Sequence, residues 1–148
     1  MTRGTIDLKV VGDSLEVIAA SLRDLRALPQ SSLAEFLGDR RNPAAAESLL
    51  RRAIQAFFDL LRHLLARAYG RGVLEYKELA RVAAEVGLVR DPHLAAVALQ
   101  IAGFRNRLVH FYQEVTGEEM YGILQSDLAD LEKLVEEVRQ ALGRLGGA

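Results

Sequence analysis

Apolar residues recur at steps of three and four along the whole chain, and no segment alternates at period two for long enough to make a strand. That spacing leaves little besides helices packed on helices. Three prolines and twelve glycines punctuate it. Leu15, Ile18, Leu22 and Leu25 mark a first helix from about Asp7 to Leu28, stopped by Pro29. Pro29 to Asn42 reads as a polar connection carrying a short apolar patch at Leu33, Phe36 and Leu37. Asn42-Pro43 has the form of a start signal, a capping side chain followed by proline in the first turn. The second helix then runs to about Tyr69, where Gly70 and Gly72 end it.

A shorter helix spans Tyr76 to Val86 and stops at Gly87. Asp91-Pro92 repeats the start signal and opens a further helix. Thr116 with Glu119 fits a capping box, after which Met120, Ile123, Leu124, Leu128, Leu131, Val135, Val138 and Leu142 form the stripe of a last helix. The tail 143–148 is expected to fray. The prediction is an all-α, up-and-down bundle of four long helices and one short one, forming a single domain over residues 1–148. A chain of this length buries roughly two-thirds of the surface it exposes unfolded.

Net charge is −1, so nucleic acid would have to be held by a local cluster rather than by bulk basicity. With no cysteine, the chain has no disulfide, thiolate zinc site or cysteine nucleophile. No secretory leader pattern or membrane-length apolar run is visible, and a cytoplasmic location is the expectation.

One stretch concentrates chemistry: Phe104-Arg105-Asn106-Arg107-Leu108-Val109-His110-Phe111-Tyr112. An arginine holds a phosphate through a planar fork of donors, and a histidine moves protons near neutrality. Together they are a minimal kit for cutting RNA without a metal. Attack of a ribose 2′-hydroxyl on its phosphate needs one proton taken and one given, while a guanidinium stabilises the charge growing on the phosphoryl oxygens. Asn106 is placed to orient His110 from one turn below, and Tyr112 to bind a phosphate or base or to serve as a regulatory hydroxyl. In one continuous helix Arg105 and His110 would point about 140° apart. Either the helix ends near His110, or the site is assembled across a two-fold dimer. By spacing alone, His110 is more often a hydrogen-bonded helix residue and the two arginines a solvated face.

Asp59 and His63 lie one turn apart on the second long helix, either as a buried pair satisfying each other or as support lining the cleft. A third metal ligand is not evident, so no metal site is expected. Arg40-Arg41, Arg51-Arg52, Arg62, Arg67 and Arg71 read as solvated or paired with nearby acids, with some available for phosphate contacts. Tyr76 reads as a residue at the edge of the core.

The string Arg105-Asn106-x-x-x-His110-x-Tyr112 resembles the R-x4-H-x-Y signature of HEPN-domain ribonuclease toxins of the HepT type. The segments RRAIQAFFDLLRHLLARAYG, YKELARVAAEVGLV and EEMYGILQSDLADLEKLVEEV follow that family's order. The resemblance implies a metal-independent endoribonuclease that acts as a homodimer, its two motifs facing each other across the interface. Arg105 and His110 would be the catalytic pair with Asn106 in support, Asp59, His63 and Arg107 would line the cleft, and tRNA or mRNA would be the substrate. It implies no cofactor for the chain itself, and a nucleotidyltransferase antitoxin of the MNT type that uses ATP to place AMP on Tyr112. The alternative within the same family is a non-enzymatic interaction subunit of a nucleotidyltransferase complex.

Overall fold

Helix α3, Arg41–Tyr69, carries a wide apolar arc opposite a polar stripe at Arg51, Arg52, Gln55, Asp59 and Arg62, and that arc is too broad for one neighbouring helix to cover. Leu50, Ala53, Ile54, Phe57, Phe58, Leu60, Leu61, Leu64 and Leu65 are all buried. The computed structural model describes residues 4–110 and 115–145, and the other helices wrap this rod. Helix α1, Leu8–Ala27, lies along it through Val11, Ile18, Leu22 and Leu25. Helix α4, Tyr76–Glu85, packs on α3 and on α5, Pro92–Val109. The last stretch comprises α6, Gly117–Gly122, a π-helical turn at Ile123–Asp127, and α7, Leu128–Arg144. No strand occurs among the described residues, and none of their helices is long and apolar enough to cross a membrane.

Most ends obey the local signals. Asp7 accepts from the amides of Lys9 and Val10, and Asp91 caps α5 with Pro92 next in line. Gly70 takes the left-handed conformation (φ 65°), letting its amide and that of Arg71 close onto the carbonyls of Ala66 and Leu65. Gly87 (φ 86°) ends the α4 turn the same way.

Three local expectations give way. The apolar patch at Leu33, Phe36 and Leu37 is a one-turn helix, α2, Leu33–Leu37, capped by Ser32, with Phe36 fully buried. Asn42 is not the cap of α3. Its Nδ2 donates to the Phe36 carbonyl left open at the end of α2 (3.2 Å), while the Asp39 carboxylate takes the Arg41 amide (2.9 Å). The Arg41 guanidinium on Asp39 holds that carboxyl down at about 2. Only half of the capping box forms: Thr116 accepts from the Glu119 amide (3.1 Å), but the Glu119 carboxylate is engaged elsewhere. Helix α7 runs to Arg144, and residues 146–148 lie outside the described residues.

Asp59 and His63 do not form a buried pair. Asp59 is exposed and accepts from Gln55 (3.2 Å) and Arg62 (3.0 Å). His63 Nε2 accepts the Asp7 amide at 3.0 Å and so ties the start of α1 to the middle of α3. An imidazole that accepts at Nε2 is neutral and carries its proton on Nδ1. Burial, followed by the nearby Arg67, pushes its pKa below the ordinary histidine value.

Two outcomes follow. Phe57→Ala, which empties a fully buried site, should lower stability by about 3–5 kcal/mol in chemical denaturation. Because folding depresses the His63 pKa, the unfolded chain binds the extra proton first. The His63 contribution is therefore complete above the ordinary histidine pKa and is lost as pH falls through the lower, folded value. Protection of the Asp7 amide relative to its intrinsic exchange rate should fall over that acid window in the wild type, and His63→Gln should flatten the dependence.

Candidate functional site

Helix α5 stops where its chemistry is densest. Val109 is its last residue, and His110 leaves the helix with φ −104° and ψ 95°, its amide reaching back to the Arg107 carbonyl (3.3 Å). Arg105 and His110 are therefore not fixed by one helical repeat, in line with the first of the two solutions the spacing allowed. His110 is exposed, whereas Arg105, Asn106 and Arg107 are partly buried. Tyr112 lies outside the described residues.

The two arginines have different surroundings. Arg107 clamps Glu119 with both terminal nitrogens (2.5 and 2.9 Å), and this is where the missing half of the capping box has gone. The pair fastens α5 to the start of α6. The hydrogen-bonded guanidinium holds the Glu119 carboxyl below the usual carboxylate range. Arg107 thus acts as a strut between helices, a role its position in the motif does not reveal.

Arg105 has no ion-pair partner among the described residues. Its guanidinium carbon stands 4.0 Å from the centre of the Tyr76 ring, and Nη2 points at Gln55 Oε1 from 3.5 Å. Its buried Nε has no hydrogen-bond partner there either. Stacking of this kind orients a cation without neutralising it. From the sequence alone, Tyr76 reads as a residue at the edge of the core and Gln55 carries no signal. No linear pattern marks either, because they come from α4 and α3 and meet Arg105 only when the bundle closes.

An apolar cleft of about 210 Å³ opens between α3, α5 and the last helical stretch, lined by Leu50, Ile54, Ile101, Phe104 and Ile123. Its polar rim includes Glu119, Asp127 and Asp130. Those carboxylates repel phosphate, so the cleft is a poor seat for RNA. Most of the basic patches are paired, Arg41 with Asp39, Arg51 with Glu47, Arg62 with Asp59 and Arg71 with Glu85. No group of three or more histidine, aspartate or glutamate side chains suited to a metal gathers among the described residues.

Known proteins can be set beside this geometry. A family model described as ribonuclease HepT-like matches residues 18–138. The chain is 24% identical over 140 residues to the tRNA nuclease HepT of Aphanizomenon flos-aquae, covering 93% of this chain and 92% of that one. Its fold is similar to that of the tri-AMPylated Shewanella oneidensis HEPN toxin, solved in complex with an MNT antitoxin. There the TM-score is 0.78 at 18% identity, over 88% of this chain and 97% of that one. It is also similar to YutE of Bacillus subtilis, a cytosolic protein of unknown function, with TM-score 0.80 at 14% identity over 97% and 95% of the two chains. The family match spans most of the sequence, including the Arg105–His110 segment, and the chain belongs to the ribonuclease HepT-like family.

Proposed function

We propose that this protein is a metal-independent endoribonuclease, the toxin of a toxin–antitoxin pair, with Arg105 and His110 as its catalytic residues. The observation that carries the reading is the state of Arg105, a partly buried cation held by an aromatic face and an amide, five residues before the helix ends at His110. A guanidinium without a carboxylate keeps its full charge for a phosphate. Family membership supports the reaction class. The similarity to a tRNA nuclease supports RNA, tRNA in particular, as substrate.

The chemistry runs as follows. A base takes the proton of a ribose 2′-hydroxyl, whose oxygen attacks the adjacent phosphorus. The bond to the 5′-oxygen breaks, and that oxygen receives a proton. The products are a 2′,3′-cyclic phosphate and a free 5′-hydroxyl. His110 serves one of the two proton transfers, and the second copy of the motif, in a two-fold homodimer, supplies a histidine for the other. Arg105 stabilises the charge that grows on the non-bridging oxygens in the transition state. Asn106, one turn before His110, orients the imidazole.

The antitoxin is a nucleotidyltransferase of the MNT type, as in the Shewanella complex. It transfers AMP from ATP to the Tyr112 hydroxyl and releases pyrophosphate. A bulky anion two residues from His110 blocks the groove between the two copies of the motif and repels RNA phosphate.

Cleavage of RNA in chelator should fall at least about 10²-fold in His110→Ala and in Arg105→Ala. Equal activity of both variants and wild type would remove the catalytic assignment. Mass spectrometry of the chain co-expressed with its nucleotidyltransferase should find AMP on Tyr112, and Tyr112→Phe should escape neutralisation by modification.

A further inference from the structure

Arg105 does not hold its own position. Its guanidinium lies on the Tyr76 ring at 4.0 Å, and that ring is itself fixed from two sides. Phe58 meets it edge to face, with centroids 5.1 Å apart and planes at 88°. Its hydroxyl is joined to the Gln55 amide, with Gln55 Nε2 at 3.1 Å. Gln55 is held in turn. Its Nε2 also donates to Asp59 (3.2 Å), and its Oε1 faces both the Tyr76 hydroxyl (3.3 Å) and Arg105 (3.5 Å).

The charges follow an order. Arg62 approaches the same ring, with its guanidinium carbon 5.7 Å from the centroid, but it is paired with Asp59. Asp59 is therefore occupied by Arg62 and Gln55, and a neutral amide stands between it and Arg105. Every contact that orients Arg105 is neutral. A carboxylate in the place of Gln55 would hold the guanidinium equally well while occupying its charge.

We propose that Tyr76 and Gln55 are positioning residues for the phosphate-binding Arg105: the ring fixes the plane of the guanidinium, and the amide fixes its edge without competing with the phosphate. The proposal rests on the RNA-cleaving reading above and extends it to residues on α3 and α4. It explains why a tyrosine and a glutamine outside the motif converge on one of its arginines. Orientation before substrate arrives is what allows a donor to act in the transition state without reorganising.

The test uses the full-length protein with an RNA substrate in chelator, and compares Gln55→Glu with Gln55→Met. The two replacements have similar length, and Gln55 is only partly buried, so both should fold. Gln55→Glu should reduce kcat/KM roughly 100-fold by pairing with Arg105, whereas Gln55→Met should cost less than about five-fold. Tyr76→Leu should reduce kcat/KM roughly 10-fold, and Tyr76→Phe, which keeps the ring, should recover most of that loss. The Arg105 Nε–Hε resonance should be displaced by the ring current in wild type and Tyr76→Phe and return to the free-arginine position in Tyr76→Leu. A purely structural role for Tyr76 would change thermal stability without these differences. If Arg105→Ala is inactive but Gln55→Glu cleaves as well as Gln55→Met, the positioning assignment is overturned and the ribonuclease reading stands. If Arg105→Ala cleaves like wild type, the ribonuclease assignment of Arg105 falls, and the positioning role falls with it.

Discussion

Everything in the bundle depends on enclosing α3. Its second half presents Phe57, Phe58, Leu60, Leu61, Leu64 and Leu65 in opposite directions, so one neighbouring helix cannot cover it. At about 25 cal/mol for each Å² of apolar surface removed from water, that enclosure is strongly favourable. The cost in freedom is met by helices α1, α4, α5 and the α6–α7 stretch closing from separate sides. The same enclosure builds the polar cluster. Gln55 shares the rod with Phe58, so the face that packs Phe58 against Tyr76 also delivers the amide to Arg105.

Two arginines two residues apart thereby acquire opposite roles. Arg107 is bound to a carboxylate and holds helices together, whereas Arg105 rests on neutral groups. The distinction follows from cross-helix partners and not from residue type. It also orders the motif: the residue nearer the helix end is the fastener, and the one a half-turn earlier has no carboxylate on it among the described residues. Several other arginines, among them Arg41, Arg51 and Arg71, are paired with nearby carboxylates as Arg107 is.

The bundle was legible because its signals are local. Asp91-Pro92, Gly70 and Gly87 act within a turn of themselves, and the periodicity of α1, α3 and α7 needs no knowledge of neighbours. Local signals mislead wherever a side chain has a choice of partner. Asn42 has the chemistry of a cap, but a stranded carbonyl at Phe36 claims it. Glu119 sits three residues after Thr116, but Arg107 outcompetes the backbone for it. Asp59 and His63 have the right spacing to meet, and each finds a better partner, one in Arg62 and the other across the bundle in Asp7. The same reasoning explains the site: the Arg105–His110 string can be read from the sequence, and the Tyr76–Gln55 cradle under it cannot.

The π-helical turn at Ile123–Asp127 has a mechanical consequence. There the Leu128 amide reaches the Ile123 carbonyl, five residues back, so the turn holds one residue more than an α-helical one. The surplus residue swivels everything beyond it, and Leu124 and Leu128 both still face inward. Upstream of the swivel, α6 is coupled to the motif helix through Glu119. Downstream, α7 belongs to the interior through Leu131, Leu134 and Val138. The wider turn between them lets α6 keep its Glu119 contact with α5 while α7 keeps its own apolar face in the core.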